Sequence, residues 1–261
     1  MYRIAIPSYD RIDLLINKTL QFLIKHNMDF TKIDLFLGSQ SQFDLYHSEL
    51  SKTDLFHDIN IIITDTEGIG NKRNFIRNYY RNETEENYIL CLDDDITDIK
   101  NMETSLHSLT DFLSTAFKVT EQHNLNLWGV CAYHNPFFLK NNYTTNLKYI
   151  CGAFYGLIID RTKDIVLTKY NHFEDMEFSI LHFKRDKGLM RFNNIGIKTK
   201  YFGKGGINNS YGGLQNRQLD MEIAGKKFVS EYHGYSKLIK KKIGYDIRLN
   251  HRAKSCTSSL I

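Results

Sequence analysis

The sequence predicts an α/β protein whose central sheet is mostly parallel and carries helices on its faces. Short apolar runs alternate with amphipathic stretches along the first 100 residues, a pattern typical of parallel strands joined by helical crossovers. The remaining residues mix strands and helices without that regularity. The 261 residues are 42% hydrophobic and 25% charged, with only two prolines and no Gly/Ser-rich linker. We therefore expect one domain with a substantial core.

Four strands are predicted in the first 100 residues. The run "YRIAIPSY" is a strand that ends at Pro7, and residues 10–25 have the apolar spacing of an amphipathic helix. "KIDLFLGS" is the second strand and "INIIITD" the third. "TEGIGNKRNFIRNYY" is a glycine-bearing turn that leads into a helix, and "YILCLDDD" is the fourth strand.

The second part of the chain is predicted to be mixed. Residues 102–122 have the pattern of a long amphipathic helix, and "LWGVCAY" and "YICGAFYGLIID" are strands rich in aromatic and β-branched residues. Gly152 and Gly156 in the second of these strands favour close approach of a ligand or of another backbone. "HFEDMEFSILHFKR" predicts a helix with acidic residues at its start.

Two segments near the end of the chain have a biased composition. Residues 201–217 are rich in glycine, which indicates either a plain flexible connection or a mobile loop that closes over a substrate through Lys204, Asn208 or Asn209. Residues 226–254 contain nine lysines and arginines against two acidic residues. This segment is predicted to be a lysine-rich helix and tail, which either is simply solvated or follows a phosphate backbone. Aromatic residues are interleaved with it as a stacking surface requires: Tyr232, Tyr235 and Tyr245.

Three consecutive carboxylates, Asp93, Asp94 and Asp95, directly follow the fourth strand. Adjacent carboxylates repel one another and resist dehydration, so a folded protein keeps them in water or neutralises them with a cation. Ligands of open α/β sheets bind beyond the carboxyl ends of the strands, which favours a Mg or Mn site over a solvated turn that caps a helix starting at Ile96. Candidates for a third metal ligand are His172, His233 and His251.

A second cluster lies in "GIGNKRNFIRN", where Gly68 and Gly70 precede Lys72, Arg73 and Arg77. The spacing matches neither a P-loop nor the full dinucleotide fingerprint. Basic side chains in the first turn of a helix oppose its dipole unless an anion docks there. The cluster therefore indicates either an anion site or a surface helix with ordinary charges.

A third cluster is the carboxylate pair Glu174 and Asp175 in "NHFEDMEF". Acidic residues at a helix start suit the helix dipole and need no further explanation. Beside a metal site, one carboxylate of such a pair can also act as a general base while its neighbour positions the reactant.

Composition also restricts location and redox state. The sequence has no secretion signal and no apolar segment of membrane-spanning length, so we expect an intracellular protein without a membrane partner. The formal net charge of +4 is too small to indicate an acidic partner, and the sequence does not indicate an oligomeric state. The cysteines lack metal-ligand spacing and are expected to be reduced: Cys91, Cys131, Cys151 and Cys256.

The order of these motifs resembles that of glycosyltransferases with the GT-A fold. A strand that ends in "IPSYDR", a glycine turn into "GNKRN", a strand that ends in "CLDDDI", and then "GAFYGLIID" and "FEDMEF" span residues 2–217. The combination most resembles the TET-associated glycosyltransferases, relatives of the base J glucosyltransferase that are found in phages and large viruses. The aspartate motif is common to GT-A enzymes, so the order of the motifs is the more specific signal.

The resemblance implies an α/β fold of the GT-A type, a Rossmann-like mixed sheet flanked by helices. Residues 1–217 would form the glycosyltransferase domain, with a nucleotide-sugar half (1–100) and an acceptor half (101–217), and residues 218–261 a basic helical extension. It implies a nucleotide-sugar donor, UDP-linked, and a Mn or Mg ion on Asp93 and Asp95. Asp175, with Glu174, is implied as the catalytic base of an inverting reaction. The implied donor-binding residues are Pro7, Ser8, Tyr9, Arg11, Gly70, Lys72, Arg73, Asn74, Asp93 and Asp94.

The acceptor implied by the resemblance is DNA that contains a hydroxymethyl pyrimidine, because ordinary bases offer no such alcohol. Reaching that group inside a duplex requires base flipping. Two alternatives remain open: a glycosyltransferase acting on protein or polysaccharide, and a nucleotidyltransferase, which also uses paired aspartates and a metal. A non-catalytic DNA-binding module is disfavoured because both acidic motifs are intact.

Overall fold

The computed structural model describes residues 2–53, 58–102, 108–199, 214–241 and 244–255. The first part alternates strands and helices as the sequence predicts. Helix α1 is one helical segment in three pieces, the α-helical Ile12–Leu14 and Gln21–Lys25 on either side of the π-helical Leu15–Leu20. The other elements of this part are β1 (Tyr2–Pro7), β2 (Ile33–Leu37), α2 (Gln40–Leu50), β3 (Asn60–Ile63), α3 (Ile69–Asn82) and β4 (Tyr88–Leu92).

The second part is mixed, also as predicted. Its elements are β5 (Asp98–Asn101), α4 (Leu109–Gln122), β6 (Leu127–Cys131), β7 (Tyr143–Thr144), β8 (Phe154–Ile158), α5 (Glu174–Asp186), β9 (Met190–Lys198), α6 (Leu214–Glu231), β10 (Ser236–Lys240) and β11 (Tyr245–Leu249). A single 3₁₀ turn, Pro136–Phe138, lies between β6 and β7.

A nine-stranded mixed sheet organises the molecule. Its strand order is β3-β2-β1-β4-β8-β6-β9-β5, and β7 pairs with β9. The first four strands are parallel, β8 is antiparallel to both β4 and β6, and β6 is parallel to β9. The strands β1, β4, β6 and β9 therefore all end at the same edge of the sheet, which we call the C-terminal edge.

Both faces of the sheet are buried, because successive side chains of a strand point to opposite faces. In β4, Leu90 and Leu92 pack into one core with α1, α2 and α4, whereas Ile89 and Cys91 pack into the other with α3, α5 and α6. The cysteines Cys91, Cys131 and Cys151 are buried and unbonded, as expected of reduced cysteines. Within the described residues, no helix has the length and apolarity that crossing a bilayer requires.

Several predicted elements differ from the structure. The residues after the aspartates form strand β5, not a helix, because they pair with β9. Helix α4 begins at Leu109, not at residue 102, and Ser108 caps it by accepting a hydrogen bond from the Asp111 amide at 3.1 Å. The helix α2 and the strand β9 had no counterpart in the prediction. The glycine-rich loop, with Lys204, Asn208 and Asn209, lies outside the described residues, as does Cys256.

The basic C-terminal segment is helical only up to Glu231. The antiparallel hairpin β10-β11 follows, which contradicts a purely helical extension. The hairpin forms because Ile247 and Leu249 alternate with polar residues and pack against the second core. Helix α6 contributes Phe228 to the same core.

Candidate active site

The loop after β1 lies beside the aspartates that follow β4, because these two strands are parallel neighbours. The Ser8 hydroxyl donates a hydrogen bond of 2.6 Å to Asp94, and the Tyr46 hydroxyl lies 2.7 Å from Ser8. The Arg11 guanidinium is 3.0 Å from Asp94 and 2.6 Å from Asp95. These contacts tie the predicted donor loop to the tip of β4.

The three aspartates have different environments. Asp94 is only 3% exposed and points inward, and burial raises its pKa to about 7. Burial and the neighbouring Asp93 also raise the pKa of Asp95. Asp93 has the most exposed side chain of the three, at 30%. Asp94 therefore serves as an internal anchor, and Asp93 is the carboxylate most open to a ligand.

Lys72 lies in the first turn of α3 but bonds to the protein interior. Its ammonium donates to the carbonyl of Ser8 at 2.8 Å, and burial lowers its pKa to about 8. The ammonium also lies 5.7 Å from the ring centre of Tyr9, a residue that is 51% exposed. Lys72 thus supports the loop after β1, and Tyr9 presents a ring next to it.

Arg73 links the two halves of the site. Its guanidinium donates to Asp93 at 2.7 Å and to the carbonyl of Gly152 at 2.8 Å, and it pairs with Glu174. A Cβ at Gly152 would overlap this guanidinium, so glycine is required here by an arginine of the protein. Burial opposes the charge of Arg73, but the surrounding carboxylates raise its pKa overall.

Glu174 is buried and ion-paired. It contacts Arg73, and its other oxygen lies 3.7 Å from Arg77, whose guanidinium stacks 3.7 Å from the ring centre of Phe178. Burial lowers the pKa of Arg77. Because its carboxylate lies 4% exposed between two arginines, Glu174 is arranged to position Arg73, and it presents little surface to a reactant.

Asp175 follows Glu174 but has a different partner. The Tyr149 hydroxyl donates to Asp175 at 2.5 Å, and the Met176 amide donates to its other oxygen at 2.9 Å. Burial raises the pKa of Asp175, while the hydrogen bond from Tyr149 and the charge of Arg73 lower it in part. A carboxylate with a raised pKa is a stronger base when ionised. This geometry suits proton abstraction.

Two predicted donor-binding residues make their contacts inside the protein. The Asn74 amide donates to the carbonyl of Thr168 at 2.6 Å, and its oxygen accepts from the Thr168 amide at 2.9 Å. A Cβ at Gly70 would lie 2.9 Å from the carbonyl of Tyr170. These residues hold the segment that precedes α5. Pro7 is buried at the end of β1 and supports the donor loop through the backbone.

The donor set at the tip of β4 fits a hard divalent cation. Asp93 and Asp95 supply carboxylate oxygens, and the proximity of Asp93 raises the pKa of Asp95, a repulsion that a cation would relieve. Mg²⁺ is commonly held by one or two carboxylates together with substrate phosphates and water. The described residues contain no cluster of three side chains able to hold a metal. Of the predicted histidine ligands, His251 bonds to the carbonyl of Leu147 at 2.8 Å.

Two residues of the site received no role from the sequence. Tyr46 lies in a segment without a motif, whereas Tyr149 is the first residue of the predicted strand "YICGAFYGLIID". The glycines Gly152 and Gly156 were noted, but the groups that approach them are Arg73 and Trp128, not a ligand.

Solved structures share the fold of this chain. A mannosyltransferase from Pyrobaculum calidifontis, solved with GDP-Man and Mn²⁺, superposes with a TM-score of 0.54 over 88% of this chain and 64% of its own, at 11% identity. S. aureus TarS 1–349 in complex with UDP-GlcNAc superposes with a TM-score of 0.53 over 87% of this chain and 66% of its own, at 12% identity. The chain has the GT-A fold.

The GT-A fold agrees with the Rossmann-like mixed sheet expected from the motifs. The chain spans about two thirds of the length of these structures, 65% in the case of uncomplexed TarS 1–349. No protein-family model matches the sequence, and no curated protein matches it either. The similarity is therefore one of fold, and the assignment of an activity depends on the site.

Proposed function

We propose that this protein is a metal-dependent glycosyltransferase that moves a sugar from a nucleotide-sugar, UDP-linked, to a hydroxymethyl pyrimidine in DNA with inversion. One observation carries the proposal: Arg73 joins Asp93 to Glu174, next to Asp175. The aspartates after β4 are suited to bind a metal-bound diphosphate. Through Arg73 they are connected to Glu174, which is adjacent to the candidate base Asp175. The GT-A fold and the resemblance to TET-associated glycosyltransferases support the donor and acceptor classes.

The donor side is formed by the loop after β1 and the tip of β4. The exposed ring of Tyr9 offers a face for stacking of the nucleobase. Asp93 and Asp95 would hold the Mn or Mg ion, which supplies charge neutralisation for the departing diphosphate. Arg73 keeps Asp93 in position, and Arg11 does the same for Asp95.

The acceptor side is formed by Asp175 and Tyr149. Asp175 takes the proton from the acceptor hydroxyl as the oxygen attacks the anomeric carbon and the bond to the diphosphate breaks. Tyr149 fixes the carboxylate through its hydrogen bond of 2.5 Å. A single base on the acceptor side favours inversion, because attack then comes from the face opposite the leaving group.

The test is incubation with nucleotide-sugars, Mn²⁺ and DNA containing 5-hydroxymethyluracil or 5-hydroxymethylcytosine, followed by mass measurement of the nucleosides. We expect a product heavier by one sugar residue. Asp95→Ala should abolish both donor hydrolysis and transfer, whereas Asp175→Asn should keep donor binding and reduce transfer by about 100-fold or more.

The exposed Asp13→Asn serves as the matched control and should change neither reaction. A product that carries a nucleoside monophosphate would assign the protein as a nucleotidyltransferase. Sugar transfer to protein or polysaccharide without transfer to DNA would reject the proposed acceptor. Normal transfer by Asp175→Asn would reject Asp175 as the base.

A further inference from the structure

A group of exposed aromatic side chains lies at the C-terminal edge of the sheet, the edge at which the aspartates follow β4. They belong to the segment after β6, which ends at the same edge as β4. The rings of Phe137 and Phe138 have centroids 5.1 Å apart, and Tyr133 lies 5.7 Å from Phe138. Phe137 is 84% exposed, Phe138 55% and Tyr133 41%. Three large rings in contact on a surface present a stacking face and contribute little to the core.

Cationic residues lie near this segment, since the Arg191 guanidinium interacts with the Tyr133 hydroxyl and Lys140 follows Phe138 by two residues. The Lys140 amide donates to the carbonyl of Asn193 at 2.9 Å, and the Arg191 guanidinium donates to the Asn193 side chain at 2.8 Å. Burial lowers the pKa of Lys148, and the charges of Arg191 and Lys140 lower it further. These three cations therefore lie close enough to repel one another.

The charge of this cluster is not balanced within the part of the chain that the structure describes. None of its carboxylates lies within ion-pairing distance of Lys140, Lys148 or Arg191. Asp98, near the aromatic segment, is already paired with Lys25 and with His134. A cluster of like charges costs free energy unless an anionic partner offsets it.

The cluster is linked to the candidate base through the chain. Lys148 directly precedes Tyr149, whose hydroxyl bonds to Asp175. The end of the basic C-terminal segment docks on the other side, because Asn146 donates to the carbonyl of His251 at 2.8 Å and His251 bonds to Leu147. The positive charge of that segment is thus continuous with the cluster.

We propose that this surface binds the acceptor as an unpaired nucleic-acid strand, with bases stacked on the rings and phosphates on the cations; its residues are Tyr133, Phe137, Phe138, Lys140, Lys148 and Arg191. The inference rests on the proposed function and specifies how the acceptor is held. Rings that alternate with cations fit single strands, whose bases expose their flat faces, while a duplex keeps its bases stacked on one another. A base held in this way needs no separate flipping step to reach Asp175.

The test measures binding of a short fluorescent oligonucleotide containing 5-hydroxymethyluracil, single-stranded or as a duplex, by anisotropy over a series of salt concentrations. We expect the single strand to bind more tightly. Phe137→Ala/Phe138→Ala should weaken its binding by about tenfold or more, since the stacking of bases on aromatic rings is lost. Lys140→Gln/Lys148→Gln should make the plot of log binding constant against log salt concentration less steep. Its slope should decrease in magnitude by about 1.4, or 0.7 for each lost phosphate contact.

Two control variants match these changes at other exposed positions. Leu219→Ala/Ile223→Ala removes exposed apolar side chains, and Lys52→Gln/Lys118→Gln removes exposed cations. Neither should alter binding. Donor hydrolysis should be the same in all four variants, because none of these residues lies at the donor loop.

Several outcomes would overturn the inference. The aromatic variant could bind the single strand as the wild type does, or the duplex could bind more tightly than the single strand. Heparin binding that falls equally in the aromatic variant would assign the surface to an anionic polysaccharide. If the wild type glycosylates DNA and the aromatic variant does so at the same rate, this inference fails and the proposed function stands. If the wild type hydrolyses donor but modifies no DNA, the proposed acceptor fails.

Discussion

Identical side chains acquire different roles in this site through their surroundings. The carboxylates of Asp93, Asp94 and Asp95 are consecutive, yet only Asp94 turns inward to Ser8. Burial raises the pKa of Asp94 to about 7, because the charged form loses its hydration inside the protein. The flanking aspartates face arginines instead, Asp93 pairing with Arg73 and Asp95 with Arg11.

A similar division separates Glu174 from Asp175. Glu174 begins α5 beneath two arginines, whereas Asp175 is turned towards Tyr149. Glu174 pairs with its two arginines, whereas burial raises the pKa of Asp175. Two adjacent carboxylates thus separate into a positioning residue and a candidate base.

The hydrogen bond from Tyr149 should set the acid limit of transfer. This bond lowers the pKa of Asp175, so Tyr149→Phe should raise that pKa. Since the ionised carboxylate is the active form, activity is lost as the pH falls through the pKa of Asp175. We therefore expect the acid limb of the kcat profile to move to higher pH, with little change at the alkaline plateau.

A matched control is Tyr88→Phe, which removes a tyrosine hydroxyl that donates to Glu121 at 2.9 Å on the surface. Its pH profile should coincide with that of the wild type. An unshifted acid limb in Tyr149→Phe would show that Asp175 does not control the profile.

At the scale of elements, helix α3 connects the two halves of the site. Its first turns direct Lys72 to the loop after β1, Arg73 to the tip of β4 and Asn74 to the segment before α5. Lys72 and Arg73 near the start of this helix do not need an external anion. Carbonyls and carboxylates of the protein accept their hydrogen bonds. The helix thereby fixes the distance between the donor loop and Asp175.

The close approach of Arg73 to Gly152 tests this role. Gly152→Ala should displace the guanidinium and loosen Asp93 and Glu174 together, because the added methyl group occupies its position. We expect donor turnover per folded molecule to fall by at least about tenfold, on the order of the loss of one charged hydrogen bond. Turnover should be corrected for the folded fraction measured by circular dichroism.

Gly188→Ala is the comparison variant. Its methyl group would lie 2.9 Å from the carbonyl of Thr145, a similarly tight position just before β9, at the opposite edge of the sheet. This variant should lose stability without losing turnover per folded molecule. Equal turnover per folded molecule in both variants would contradict the conclusion that α3 connects the two halves of the site through Arg73.

At the scale of the whole molecule, strand β8 unites the parallel and mixed halves of the sheet. It pairs with β4 on one side and with β6 on the other, both antiparallel. The ring of Trp128 on β6 lies over Gly156 on β8 and is fully buried. Overpacking at this point should therefore destabilise both halves of the sheet together.

Gly156→Ala should destabilise the whole protein. A methyl group at this position overlaps the indole ring, and overpacking of a well-filled core costs about 1–3 kcal/mol. The urea concentration at the midpoint of unfolding should fall, while the m-value, the dependence of the unfolding free energy on urea, should stay the same. In Trp128→Leu/Gly156→Ala, the second substitution should cost less than it does alone, since the ring is gone. Additive losses would exclude the overlap as the cause.

The amino-acid sequence determined the local features of this protein. Apolar periodicity defined β1 to β4, α3, β6, β8 and α5, and the aspartates at the end of β4 marked the candidate site. These signals are local, because alternation and helical spacing depend only on neighbours along the chain. The strand β9 escaped prediction because its polar Asn193 and Asn194 interrupt the alternation where the register with β6 shifts.

Only the tertiary structure decided which charged groups meet. Arg73 and Glu174 are 101 residues apart, and Ser8 and Asp94 are 86 apart, so no spacing in the sequence relates them. The same holds for Tyr149 beside Asp175, and for Arg191 near Tyr133. A side chain's protonation and partners depend on burial and on charges a few ångströms away, and the folding of the sheet brings those charges together.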